Sequence, residues 1–206
     1  MTKRSYARYQ AGRPYEYTFL YPADWKAREI VEEGYMDTYI AGPRNRAGTY
    51  STSFAVGVTR AADRTPTEAA MVFLSKFRSA FSIQELGPFP TTVAGVPAVE
   101  VEIAYWMPLP LNSLHPQRTV IRERNIFFQR EGQLYELRYA ASEEDYETWL
   151  GAFRFLVESF AFPEEPVSRV SYRPVIAATP QYVGEDAMEY GADRGESDAE
   201  SECHGG

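Results

Sequence analysis

Few residues in this chain have the type and spacing that chemistry requires. The two histidines, His115 and His204, stand far apart. His115 lies in the proline-rich segment Met107 to Gln117 (MPLPLNSLHPQ), where it is a candidate metal ligand or contact residue, with a plain solvent-facing histidine the commoner alternative. Cys203-His204, beside Glu200 and Glu202, has the donor set for a soft divalent metal, but ligands on a tail must be ordered before they bind. Cys203 is the only cysteine, so no intrachain disulfide forms and the redox compartment stays open. Glu143-Glu144 and Glu164-Glu165 imitate acid–base pairs, yet they flank a helix, where acids ordinarily complement the dipole. There is no GxSxG elbow, P-loop, GxGxxG, CxxC or HExxH. No catalytic, cofactor-binding or metal-ligating residue is therefore assigned, and no enzyme is expected. An organised cleft holding a carboxyl of shifted pKa is the feature that would point back to catalysis.

The chain offers contact residues instead. Arg118, Arg122 and Arg124 precede Arg130, and Arg122 and Arg124 share one face of a strand. They form a candidate docking surface for an acidic partner, with a salt-bridged solvent face as the commoner alternative. Lys3, Arg4, Arg8 and Arg13 populate a start free of acids, a basic arm over residues 1–14 for an acidic partner or lipid headgroups. Here too the ordinary alternative is a solvated terminus. Leu109, Leu111 and Leu114 join His115 in the proline-rich segment as further partner-binding candidates. Charge is uneven: residues from Pro163 onward carry a net −7 of the whole-chain −8, leaving −1 for the body. A body without basic excess does not read as a nucleic-acid binder. No apolar run is long enough to cross a bilayer, and the first 19 residues lack the apolar stretch of a secretory signal.

The elements that must position these residues follow from periodicity. Tyr15 to Tyr21 alternates as a first strand, and Pro22-Ala23-Asp24-Trp25 stops it, with Trp25 covering the edge of the core. Tyr35 to Ala41 and Thr52 to Thr59 are the next strands; Phe54, Val56 and Val58 share one face. Thr65-Pro66-Thr67-Glu68 is a capping box opening a helix with Ala70, Phe73, Leu74, Phe77 and Phe81 on its stripe. Strands then run over Ile83 to Phe89, Ala98 to Trp106, Thr119 to Gln129 and Leu134 to Tyr139. A tight turn at Arg130-Glu131-Gly132-Gln133 separates the last two. The run Ile126-Phe127-Phe128 predicts a strand covered on both faces. Ser142 caps a final helix whose stripe is Tyr146, Trp149, Leu150, Phe153, Leu156, Val157 and Phe160. The order β β β α β β β β α predicts an α+β fold: an antiparallel sheet sandwiched by helices over 15–162. The acidic residues 163–206 lack periodicity and read as an extended tail, disordered or docked on a partner.

Several short motifs, in order, resemble one family. Phe19-Leu20-Tyr21-Pro22-Ala23-Asp24-Trp25-Lys26 looks like the F-x-Y-P-x-x-W opening of the PsbP family. The Gly95-Val96-Pro97-Ala98 turn leads into Glu100-Val101-Glu102 and Tyr105, and Glu131-Gly132-Gln133-Leu134-Tyr135 follows an arginine-containing strand. Asp145-Tyr146, Trp149 and Ser159-Phe160 then match the family's final helix. The resemblance covers 15–162 and implies an α/β/α sandwich around a central antiparallel sheet. It also implies a non-catalytic, extrinsic subunit or assembly factor of photosystem II, peripheral to the thylakoid, supporting calcium and chloride retention by docking to photosystem II subunits. No metal-binding residue of the family matches a position here, so none is carried over.

The alternative is a cytoplasmic binding module of the same fold, which the absence of a signal peptide or lipoprotein cysteine favours. A nuclear Ran-GTPase-binding protein shares this sandwich, so fold alone leaves the partner open.

Overall fold

Small alternating differences in side-chain size build this molecule. The computed structural model describes residues 4–61, 64–78 and 82–163. They belong to a first unit, Met1–Pro166; the second unit, Val167–Gly206, lies outside them, and with it the expected tail. Strands β1 (Tyr6–Gln10) and β2 (Thr18–Pro22) form a two-stranded antiparallel ribbon. The other seven strands are β3 (Lys26–Glu32), β4 (Tyr35–Arg44), β5 (Ser51–Arg60), β6 (Ser82–Val93), β7 (Val96–Leu109), β8 (Gln117–Arg130) and β9 (Gln133–Ser142). They make one sheet in the order β3-β4-β5-β9-β8-β7-β6, and every neighbouring pair is antiparallel. Helix α1 (Pro66–Arg78) connects β5 to β6, and α2 (Glu143–Ser159) follows β9 directly.

The two helices cover opposite faces of the sheet, and β8 shows how. Successive strand residues point to opposite sides. Ile126 and Phe128 enter the core beneath α2, together with Phe54, Val56, Leu137 and Tyr139. Phe127, between them, joins Val101 and Ile103 beneath Ala70, Phe73 and Leu74 of α1. The unbroken apolar run over 126–128 is thus a strand covered on both sides. Tyr146, Leu150, Phe153 and Leu156 bury the stripe of α2. The ribbon shares that face, where Tyr17 and Phe19 stack on Phe160.

Local signals account for the ends. Thr65 and Glu68 close a reciprocal box: the Thr65 N–H donates to Glu68 Oε2 (2.8 Å) and the Glu68 N–H to Thr65 Oγ1 (3.2 Å). At the head of α2 the sequence expectation fails in detail. Ser142 occupies the cap position, but its hydroxyl donates to the Asp145 carboxylate at 3.0 Å and caps no backbone N–H. Glu131 and Gly132 both have positive φ, 51° and 72°, the conformation that lets a two-residue hairpin match the twist of β8 and β9.

Element bounds differ from expectation in several places, among them β6 and β7, which are longer than expected. Part of the presumed arm over 1–14 is strand β1, tied down where the Tyr9 hydroxyl donates to the Glu29 carboxylate. The strand expected over Tyr15 to Tyr21 is β2 and starts only at Thr18, because Glu16 adopts a φ of 32° and turns the chain. β3 was not anticipated: it is an edge strand exposed along its whole length, so no burial imposes alternation on it.

Candidate functional site

The partner-binding candidates fall in three places. Leu109, Leu111, Leu114, His115 and Arg118 gather at the β7–β8 hairpin. β8 pairs with β9 no further than Ile121, and β6 pairs with β7 no further than Tyr105. The pairs from Trp106↔Val120 to Leu109↔Gln117 therefore form a ribbon that projects past its neighbours. Its tip presents Leu111 and Leu114, 68% and 94% exposed, with His115 exposed beside them. Arg118 lies over the Trp106 ring at 4.9 Å, which stiffens the base. Leu109 corrects the expectation: it is the last residue of β7, which runs on through Pro108, and it is buried.

The arginines of the amino-terminal segment are dispersed. Arg4 lies 4.2 Å over the Trp149 ring and donates to the Thr148 carbonyl. Arg8 is exposed on β1, and Arg13 pairs with Glu16 at 3.2 Å. Lys3 lies outside the described residues, as do Glu164, Glu165, Cys203 and His204.

Arg122 and Arg124 do share a face, but their charge is consumed within the chain. The sheet register sets Glu102 opposite Arg124 and Ala104 opposite Arg122. Glu102 accepts from Arg122 Nη2 at one oxygen and from Arg124 Nη2 at the other, the latter at 2.8 Å. Glu147 takes a further Arg122 nitrogen at 3.0 Å, Glu100 lies 3.3 Å from Arg124, and Arg122 stacks 3.8 Å over the Tyr146 ring. Arg122 braces the head of α2 and Arg124 ties β8 to β7, so neither awaits an acidic partner. Burial raises the Glu102 pKa, but hydrogen bonds from the two arginines outweigh it and the net shift is downward. A depressed carboxylate pKa contributes stability above the ordinary glutamate value that is lost as pH falls through the folded value. Glu102→Gln is expected to cost about 2–3 kcal/mol at pH 7. Urea unfolding at pH 7 and pH 3 should show the deficit shrinking in acid; a deficit independent of pH would refute the network's role.

One polar cluster escaped the sequence reading. On the face that α1 covers only in part, β5 presents Ser53, Ala55 and Gly57, while its bulky residues point the other way. Small side chains leave a hollow of about 240 Å³, lined by Asp37, Tyr39, Tyr50, Ser53, Ala55, Glu123, Arg138 and Ala140. Arg138 donates to Asp37 at one wall. Glu123 accepts from the Tyr105 hydroxyl at 3.2 Å and, at 3.5 Å, from the Asn125 amide. Its pKa is raised, first by burial, despite the charge of Arg138 and these donors. Glu136, one row along, is raised for the same first reason. Burial also pushes the Tyr50 hydroxyl up. The cluster was hidden because its residues come from four strands and the loop before β5, and because Ser, Ala and Gly carry no hydrophobic signal. The available clue was the small-residue alternation within Ser51–Arg60.

Among the described residues no group of three His, Cys, Asp or Glu side chains is placed to hold a metal ion. No described helix is long and apolar enough to cross a membrane.

Comparison with known proteins gives likeness of shape alone. No protein-family model matches the chain, and no curated protein matches it in sequence. Among solved structures, cyanobacterial PsbP (CyanoP) from Synechocystis sp. PCC 6803 aligns at 15% identity and a TM-score of 0.46, covering 78% of this chain and 94% of that one. LpqN, involved in cell envelope biogenesis of Mycobacterium tuberculosis, aligns at 13% and 0.47, covering 77% and 84%. PA94, a Pseudomonas aeruginosa protein of unknown function, aligns at 10% and 0.42, covering 72% and 91%. These values assign the chain neither family nor activity.

Proposed function

We propose that this protein is a docking module that grips a protein partner with the projecting β7–β8 hairpin, and that it is non-catalytic although the hollow holds the raised Glu123 carboxyl, because no His, Cys or Lys lines that hollow beside it. The observation that carries the reading is Leu114, 94% exposed at the tip of a stiff two-stranded projection, with Leu111 beside it. Large apolar side chains exposed together mark interaction sites. The finer proposal concerns the partner. The motif order over 15–162 resembles the PsbP family, and on that ground the partner is a photosystem II subunit, mature or in assembly. The protein would then sit peripherally at the thylakoid and support calcium and chloride retention indirectly.

The test is co-sedimentation of the full chain with photosystem II-enriched membranes, beside an affinity pull-down from cytosol. Retention on the membranes is expected. The pair Leu111→Asp and Leu114→Asp should weaken it by about 10- to 30-fold, the loss of two modest apolar anchors. Equal retention of the double variant would sink the hairpin reading. Capture from cytosol alone would replace photosystem II with a cytoplasmic partner.

A further inference from the structure

We propose that the hollow between β4, β5, β8 and β9 binds a small organic cation, a free alkylammonium compound, with Glu123 as counter-ion and Tyr39 and Tyr50 as its walls. The inference stands apart from the hairpin, which lies beyond Tyr105 at the end of the sheet.

Charge decides the sign of the ligand. Three carboxyl groups, Asp37, Glu123 and Glu136, belong to this patch of sheet face. Arg138 is the guanidinium lining the hollow; it is hydrogen-bonded to Asp37, and its charge acts on Glu136 and, without contact, on Glu123. The carboxylate of Glu123 is left with hydrogen bonds from uncharged donors, Tyr105 and Asn125. Lys76 of α1 acts on Glu136, and Arg28 of β3 lies over the Tyr39 ring. An anion entering the hollow would meet Glu123, which has no cation in contact with it; a cation would take that place.

The walls decide the kind of cation. The Arg28 guanidinium already rests 4.8 Å over the Tyr39 ring, so one wall demonstrably accepts a positive group on its π face. Tyr50 stands at the wall above Ser53 and Ala55. A carboxylate beside tyrosine rings over a floor of Ser53, Ala55 and Ala140 matches an alkylammonium head, whose charge is spread over an apolar surface. It does not match a divalent metal, which demands several oxygen ligands at once. The small residues of β5 keep the floor open. A volume near 240 Å³ is slightly below the range of ordinary small-molecule sites, and it suits an amine of a few carbons.

Glu123 makes the same point from stability. A carboxylate kept half-buried without an opposite charge in contact is a standing cost to the fold, and such costs concentrate where a ligand is received.

The experiment is a titration of the full chain with n-butylammonium chloride and tetramethylammonium chloride, followed by amide chemical shifts. Sodium chloride at matched ionic strength and neutral tert-butanol serve as controls. Saturable shifts confined to residues around Tyr39, Tyr50, Ala55 and Ala140 are expected with the ammonium probes and with neither control. Glu123→Gln preserves shape and should weaken binding by about tenfold or more, the value of one charge-assisted contact. Tyr50→Leu should weaken it without altering Glu123. Saturation that survives both substitutions, or shifts equal to those from sodium chloride, would overturn the proposal. Saturation by an end-blocked lysine peptide but not by butylammonium would overturn the free amine as the source. Thermal melts of both variants at pH 7 confirm folding; Glu123→Gln should melt no lower than the parent.

Discussion

Trp25→Ala is expected to lower the unfolding free energy by about 3–5 kcal/mol, measured by urea denaturation. Trp25 follows β2 and is buried at the junction of ribbon, sheet and α2. Its ring meets Phe54 of β5 at 4.5 Å and Trp149 of α2 at 4.9 Å. One removal therefore opens a cavity against two elements at once. A second residue makes the prediction sharper. A Cβ placed on Gly42 would sit 2.5 Å from Trp25 Cζ2, well inside contact distance. Gly42 exists to let that ring lie flat on β4. Gly42→Ala should cost about 1–3 kcal/mol in the parent chain, because the ring must move. In the Trp25→Ala background it should cost almost nothing. The double-mutant cycle then shows a coupling about as large as the single Gly42 effect. Additive losses would mean that the ring and the glycine do not meet.

Arg138→Met should cost about 2–4 kcal/mol at pH 7, somewhat under the value for a wholly buried pair because the guanidinium is partly exposed. The substitution leaves Asp37 and Glu136 without their shared cation. Unpaired buried carboxyls have folded pKa values above their unfolded ones, so the folded state binds more protons. Stability then falls as pH rises through the raised values and recovers as pH falls. The deficit should accordingly narrow between pH 7 and pH 5, read as the gap between parent and variant midpoints in urea. This is the same direction that burial already imposes on Glu123 and Glu136 in the parent. A deficit that widens in acid would show that Arg138 contributes by packing and hydrogen bonding to neutral groups.

How much of this was legible depended on whether burial left a mark in the residues themselves. Phe54, Val56 and Val58 announce one face of β5, and the run 126–128 announces a strand with two covered faces. Thr65 and Glu68 announce a helix start, since a capping box is local chemistry. β3 announces nothing: Lys26 to Glu32 buries no side chain, so charge and apolar residues mix freely. Leu109 was misplaced because Pro108 suggests a loop, whereas the strand ladder runs through it to Gln117. Arg122 and Arg124 were visible as a pair, but their acceptor Glu102 lies on another strand and only register brings them together. The hollow was least visible. Its floor is made of residues noticed for what they lack, and its walls lie far apart along the chain.

The antiparallel order β3-β4-β5-β9 carries a consequence for biosynthesis. β5 ends at Arg60, and the strand beside it begins at Gln133. A nascent polypeptide thus emerges with the inner side of β5 unpaired until most of the body has been made. The first meander cannot be sealed by anything that emerges soon after it, and Phe160, on which Tyr17 and Phe19 stack, emerges later than every strand of the sheet. Such distant pairing slows folding and prolongs the exposure of sticky edges. A ribosome stalled before Gln133 would carry an open-sided half-sheet, the natural client of a chaperone.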